Sequence, residues 1–324
     1  THDNYIAQCE AAPVVLGLMQ PGDIWLTVLP IWHSFERAFL YMVVMLKGGF
    51  AYSKPVASVM IQDMNLIHPQ WMNGVPRLWE SVAQGLFREI KKQDKISQFI
   101  FNNSVILGKL YYKAKERVCG LVCHYKKYPR FFDVMYGIIP FILLWPFFRI
   151  VDLLVFKSIR AKFGGKMRAA ISGGGALQSG TEDFFHAIGF NLLEGYGMTE
   201  TAPVISVRNS KKPRSNNVGY VFPSFEVKIC PEKDGKLASS TPLKPGKKGL
   251  VLVKGRQVMK GYYKRQDLTD AIIDSEGWIN TGDLGMISWD KELKIVGRAK
   301  DTIVLLGGEN IEPAVIEKAL NESP

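Results

Sequence analysis

An alternation near the start of the chain narrows the choice of fold more than any other stretch. Residues 23–29 (DIWLTVL) are a β-rich apolar run that ends at Pro30. Residues 35–47 follow a helical pattern stopped by Gly48-Gly49, and Phe50-Ala51-Tyr52 reads as a second short strand. Strand, helix and strand at this spacing need a crossover, and crossovers of this kind give parallel strands covered by helices. The unit recurs later. Residues 166–172 read as a strand running into Gly173-Gly174-Gly175, a helix follows over about 180–188, and residues 190–193 are a strand again. The expected class is α/β, with a large lobe layered about a parallel sheet.

The pattern changes after about residue 205. Short strands within 218–230, 249–253 and 293–297 are separated by Pro, Gly and Asp-Gly turns, which predicts a smaller antiparallel β lobe. Asp234-Gly235 between apolar runs is a hairpin turn. We therefore expect residues 1–205 to form the α/β part of a large domain, 206–299 a β-rich subdomain, and 300–324 the beginning of a C-terminal lobe, with a helix opening near Glu312-Pro313. The chain lacks an initiator Met, enters a helical pattern over 3–19 at once, and stops just after another. Both ends read as cuts inside a longer protein.

Apolar residues make up 47% of the 324 and charged residues 22%, enough for a sizeable core and unlike a disordered chain. The net charge of +11 is unevenly placed. From Arg88 to Arg168 there are 17 basic and 5 acidic residues, a net of +12, and the remainder is near neutral at −1. Within that segment residues 134–148 (VMYGIIPFILLWPFF) carry no charge. This run of 15 is shorter than the roughly 20 residues needed to span a bilayer, and Pro140 and Pro146 are expected to interrupt it. Lys and Arg frame it on both sides, as in an interfacial element on an anionic membrane surface through 113–168. The competing reading is a core-packed helical insertion over 131–160. Tyrosines interleave with lysines here, but no nucleic-acid motif accompanies them, so a nucleic-acid partner is not expected. Four scattered cysteines do not form a disulfide framework.

Five stretches combine turn glycines with polar residues suited to a nucleotide. Trp32-His33-Ser34-Phe35 follows a strand end, where α/β folds bind ligands; it offers an aromatic wall and an ionisable ring, or simply packs at a helix start. Gly173-Gly174-Gly175-Ala176 lets a ligand approach the backbone closely. In Glu194-Gly195-Tyr196-Gly197-Met198-Thr199-Glu200, Tyr196 can stack on a base, Thr199 can donate to phosphate and Glu200 is a hard ligand for Mg²⁺. Thr199 can equally cap a turn. Asp283, after Asn280-Thr281-Gly282, can accept from a ribose diol or stabilise its own turn. Arg298 and Lys300, in Gly297-Arg298-Ala299-Lys300-Asp301, can serve as a clamp and a hinge, and Gly307-Gly308 mark a mobile loop.

In this order the stretches resemble the adenylate-forming superfamily, over essentially the whole chain. Trp32 to Arg37, Val75-Pro76-Arg77 and residues 155–165 resemble its long-chain acyl-CoA synthetases in particular. The resemblance implies a ligase that uses ATP and Mg²⁺ to convert a long-chain fatty acid to acyl-AMP and passes the acyl group to coenzyme A. It places Gly174, Gly175 and Ala176 at the adenine and acyl pocket, Tyr196 on adenine, with Gly197 beside it, Thr199 on phosphate and Glu200 on Mg²⁺. Asp283 and Arg298 fall on the ribose, Lys300 on the hinge between lobes, and Gly307 and Gly308 beside a pantetheine tunnel. Trp32, His33 and Phe35 fall near the acyl tunnel. The family's phosphate loop and late catalytic Lys are not found in the sequence, so residues 1–324 alone are expected not to activate fatty acids. Alternatives are a carrier-protein thiol as acceptor, or a non-catalytic membrane-associated remnant. A cytoplasmic location, peripheral on the cytoplasmic face of the membrane, is the corresponding expectation.

Overall fold

The structure, a computed structural model, describes residues 1–301 and positions 303, 304, 310, 311, 313, 316, 317 and 320, with Val14 and positions 303, 304, 310 and 311 by backbone alone. Helix α1 (His2–Leu16) leads to β1 (Ile24–Thr27), α2 (Ser34–Met45), β2 (Gly49–Tyr52), α3 (Ala57–Ile67), β3 (Trp71–Gly74) and α4 (Pro76–Lys91). Two long helices follow, α5 (Lys95–Cys119) and α6 (Arg130–Val151). The second runs on through a π turn at Asp152–Phe156 into α7 (Lys157–Ala161). Then come β4 (Ala169–Ser172), α8 (Ser179–Ala187), β5 (Leu192–Gly197), β6 (Val204–Val207) and β7 (Tyr220–Val221).

These strands form one sheet of seven in the order β2-β1-β3-β4-β5-β6-β7. From β2 to β5 the pairing is parallel, and β6 and β7 add antiparallel. The α/β class expected from the alternation at 23–52 is the class observed. β-rich antiparallel pairing begins inside this large sheet, at β6, and the sheet extends to Val221.

Side chains on a strand alternate between faces, and here both faces are apolar because helices cover both. Trp25, Trp71, Ile171 and Leu193 face one core with Leu16 of α1 and Phe39 and Met42 of α2. Their neighbours Leu26, Met72, Ala170 and Leu192 face the other, with Met60, Trp79, Phe163 and Phe185. Register places Trp25 beside Trp71, and the two indoles stack at 5.1 Å with a 9° tilt.

The second lobe contains β8 (Phe225–Cys230), the hairpin β9 (Glu232–Lys233) and β10 (Lys236–Leu237), β11 (Gly249–Gly255), the short α9 (Gln266–Asp270), β12 (Ile279–Ile287) and β13 (Leu293–Arg298). The hairpin turns at Asp234-Gly235 as expected. An antiparallel sheet in the order β13-β12-β11-β8 packs Ile229, Val251, Ile279 and Leu293 into the same core as Trp25 and Phe39. The lobes therefore share one apolar interior.

One expectation is corrected. Pro140 and Pro146 do not interrupt the apolar segment; both lie inside α6. Each proline removes one N–H donor. The missing bonds are those to the carbonyls four residues earlier, on Tyr136 and Ile142.

Helix α5 docks on α8 at Gly108, where a Cβ would lie 2.7 Å from the Ala187 carbonyl oxygen and 3.0 Å from the Phe156 ring. Gly108→Val is expected to separate the two helices and cost about 1–3 kcal/mol. A thermal melt that matches wild type would show that α5 docks elsewhere.

Candidate active site

A cavity of about 360 Å³ opens between the ends of the parallel strands and the β lobe, walled by His33, Phe35, Gly174, Tyr196, Thr199, Glu200, Asp283 and Arg298 among others. Local sequence explains how each part arrives. After β1 the chain turns at Pro30, whose carbonyl accepts from His33 N–H at 2.9 Å. His33 then caps α2: its Nδ1 accepts from the Phe35 N–H at 3.2 Å, which leaves the proton of the neutral ring on Nε2. The positive end of the α2 dipole thus faces the cavity.

β5 brings Tyr196 and Gly197 to the opposite wall. A Cβ at Gly197 would sit 2.0 Å from the Pro203 carbonyl oxygen, so glycine is required where β5 closes on the returning chain. That return is a 3₁₀ turn over Thr199–Thr201. It sets the Thr199 hydroxyl 3.3 Å from that of Ser34. Glu200 lies at the lip, where its Oε1 accepts from the Tyr262 hydroxyl at 2.6 Å. This bond to a carboxylate pushes the Tyr262 phenol up to about 12.

The β lobe contributes Asp283 of β12 and its register partner Arg298 of β13. The Tyr196 hydroxyl donates to Asp283 Oδ2 at 2.6 Å, and Arg298 Nε approaches Oδ1 at 3.2 Å. Burial raises the Asp283 carboxyl, opposed by Tyr196 and Arg298. Burial, then the adjacent carboxylate, holds the Tyr196 phenol well above its ordinary value. This group of three straddles the two sheets.

Motifs far apart in sequence therefore meet at one cavity, but not every expected residue lines it. Trp32 stands outside the wall, 77% exposed, because the Pro30–His33 turn directs it to solvent. Gly175 and Ala176 follow Gly174 on the exposed side of their turn. Lys300 occupies an exposed turn after β13. Gly307 and Gly308 lie outside the described residues.

Other participants carried no sequence signal of their own. Ser34 lies inside the Trp32–Arg37 stretch but had no role of its own there, and Tyr262 is a single polar residue outside the motifs. Behind the wall, Arg208 is fully buried and bonds Glu182 and, at 2.8 Å, Glu194, while Glu194 accepts from the Leu177 N–H at 3.2 Å and so braces the glycine loop. Burial brings the neighbouring His186 down to about 4, which keeps its ring neutral beside Arg208. Glu36 is buried at the start of α2, and burial raises it to about 7 against hydrogen bonds from Thr27 and Asn73.

With fold and cavity in view, the class follows from comparison with known proteins. Residues 1–263 match the model of the AMP-binding enzyme family, and the chain belongs to that family. Among curated relatives it is 34% identical to a probable chloroplastic acyl-activating enzyme 16 of Arabidopsis thaliana over 94% of this chain and 43% of that protein. It is 32% identical to a chloroplastic long-chain-fatty-acid–[acyl-carrier-protein] ligase of the same plant, again over 94% of this chain and 43% of that one. It is 31% identical to the plant's peroxisomal long chain acyl-CoA synthetase 7, over 98% and 41%. The chain thus spans less than half the length of these relatives. ATP-bound MatB from Rhodopseudomonas palustris superposes with a TM-score of 0.69 at 21% identity, covering 100% of this chain and 49% of that one. The Bacillus subtilis o-succinylbenzoate coenzyme A synthetase with ATP and magnesium gives 0.65 at 22%, covering 99% and 51%. Both establish the adenylate-forming fold.

Glu36 gives a pH signature. A raised carboxyl favours the protonated fold, so its contribution is complete below its ordinary value near 4.5 and is lost as pH rises through about 7. The loss is on the order of 3 kcal/mol. Glu36→Gln is expected to flatten the wild-type fall in melting temperature between about pH 5 and 8. Parallel pH profiles for the two proteins would contradict this.

Proposed function

We propose that the chain serves AMP-forming activation of a long-chain fatty acid and its transfer to coenzyme A. The observation that carries this reading is the Tyr196–Asp283–Arg298 group, placed at a cavity that Phe35, Phe39, Ile171 and Phe222 also line. A ribose diol donates to the Asp283 carboxylate, which Tyr196 and Arg298 hold in place. Thr199 donates to a phosphate oxygen. The α2 N-terminus at His33 faces the negative charge that gathers where carboxylate and phosphate meet. Phe35, Phe39, Ile171 and Phe222 give the acyl chain an apolar surface.

Mg²⁺ fits this wall in a limited way. The described residues contain no group of three or more metal-ligating side chains, but Mg²⁺ on a nucleotide commonly takes one protein carboxylate plus phosphates, and Glu200 is that carboxylate. When bound it supplies charge neutralisation of the polyphosphate.

In the first half-reaction a fatty carboxylate oxygen bonds to the α-phosphorus of ATP and pyrophosphate leaves. In the second a thiolate sulfur bonds to the acyl carbon and AMP leaves. Lys300, on its exposed turn, is the position we assign to the hinge between these steps. Gly307 and Gly308 are assigned to the pantetheine passage on resemblance alone, as Gly175 and Ala176 are to the outer rim of the pocket.

A second reading changes the acceptor to an acyl-carrier-protein thiol, favoured by the 32% identity to a ligase of that description. Coenzyme A and holo-carrier protein offered separately, with thioester measured, decide between the two. Pyrophosphate release is expected from a protein joining these residues to a phosphate-loop lysine and a late catalytic lysine, and not from residues 1–324 alone.

Nucleotide binding tests the site itself. Asp283→Ala is expected to weaken AMP binding by about tenfold or more, the value of a hydrogen bond to a charged group. Titration calorimetry showing unchanged affinity would place the ribose elsewhere.

A further inference from the structure

We propose that the helix running from Arg130 to Ala161 is a monotopic membrane anchor that lies in the surface of an anionic, cytoplasmic leaflet. The argument rests on this surface and not on the reaction proposed above. Among the described residues this 32-residue helix is the one long and apolar enough to cross a membrane, and none of its most apolar window is buried in the protein. Such a helix is ordinarily a core element or a lipid-facing one, and among the described residues nothing buries the apolar window of this one.

Periodicity gives its orientation. Tyr136, Ile139, Leu143, Phe147, Ile150 and Leu154 recur every three or four residues on one face, and each is more than half exposed. The opposite face is packed on α5. A Cβ at Gly137 would lie 2.7 Å from Arg117 Cβ and 3.0 Å from the Ala114 carbonyl oxygen. Tyr111 of α5 stacks on Phe141 at 5.4 Å and on Phe148 at 4.1 Å. α5 in turn docks on α8 of the large lobe, and Phe156 enters the core. A helix held along its length to a water-exposed lobe cannot span, since the lobe would have to enter the hydrocarbon with it. It can lie flat, with an apolar stripe about 27 Å long pressed below the headgroups.

Charge selects the partner. The helix has two acidic residues, and both are engaged away from the stripe: Asp133 is buried against His124 at 2.7 Å, and Asp152 binds Arg160 at 2.6 Å. The flanking charges are basic: Lys126, Lys127 and Arg130 before the stripe, Arg149 and Lys157 beside and after it. An apolar stripe bordered by cations matches a layer of acyl chains beneath phosphate headgroups, and the anionic leaflet of a cell membrane is the cytoplasmic one. A second copy of this chain would set these like charges against each other.

Flotation of the full chain with phosphatidylcholine vesicles, with and without phosphatidylglycerol, tests this at low and high salt. Wild type is expected to float with the anionic vesicles, more weakly at high salt, and less with neutral ones. Ile139→Gln with Leu143→Gln should lose binding to both kinds by about tenfold or more. Lys126→Gln with Lys127→Gln should weaken anionic binding alone, on the order of tenfold. AMP binding and melting temperature should be unchanged in both, which separates loss of the anchor from loss of the fold or of the nucleotide site. Wild type that fails to float, an apolar variant that floats like wild type, or a lipid-free dimer abolished by the apolar variant would each overturn the proposal.

Discussion

Arg208 is the charge on which the arrangement of the large lobe turns. It sits fully buried at the end of β6 and reaches Glu182 on α8, Glu194 on β5 and the Asn217 carbonyl before β7. Its own N–H also donates to the Glu194 carbonyl at 3.1 Å. One guanidinium thereby ties the helix layer to the two strands that change the sheet from parallel to antiparallel. A buried cation with two carboxylates is costly to desolvate, and breaking such a set by removing one partner costs about 3–5 kcal/mol. Position is therefore strongly specified here. Because Glu194 also accepts from Leu177 N–H, the same cluster fixes the loop after β4 that carries Gly174 into the cavity. The cavity wall is built on this buried charge, although Arg208, Glu182 and Glu194 do not line it.

Much of the fold was legible because its strands are short, continuous apolar runs closed by Pro or Gly. The run at 23–29 contains β1, and that at 166–172 contains β4. β3 escaped because Trp71-Met72-Asn73-Gly74 is four residues long with a polar third, and Asn73 reads as a turn residue until its burial is seen. The site was legible where a motif joins glycine to a polar side chain, as at Tyr196, Thr199, Glu200 and Asp283. It was not legible for Arg208, Glu36 or Ser34, whose roles depend on partners supplied by other elements. Trp32 shows the reverse failure. Its aromatic ring suggested a wall, but a one-residue difference in phase between Trp32 and His33 decides which side of a tight turn faces solvent.

The prolines of α6 carry a related lesson. In a soluble helix, proline reads as a break because a lost hydrogen bond and a ring clash outweigh local gains. Here tertiary packing through Gly137, Phe141 and Phe148 holds the inner face against α5, so the helix persists through both positions. The uncharged run of 15 residues understated the element, which the structure extends to 32 by adding turns whose charges are paired or peripheral.

Charge separates the two halves of the molecule's chemistry. The cavity wall holds Glu200 and Asp283 and, among its described residues, Arg298 as its Lys/Arg side chain, already opposed to Asp283. In the proposed reaction a polyphosphate approaching this wall would meet near-neutral surroundings, and its charge would have to be answered by the α2 dipole, a cation at Glu200 and groups brought from other segments. The basic excess of residues 88–168 is not at this wall, and part of it, Lys126, Lys127, Arg130, Arg149 and Lys157, flanks or lies within the exposed helix in sequence. Lysines placed at the cavity would have served a soluble anion equally well. Placed around an apolar stripe, they favour a surface that is at once anionic and oily, and a long-chain fatty acid partitions to the same surface.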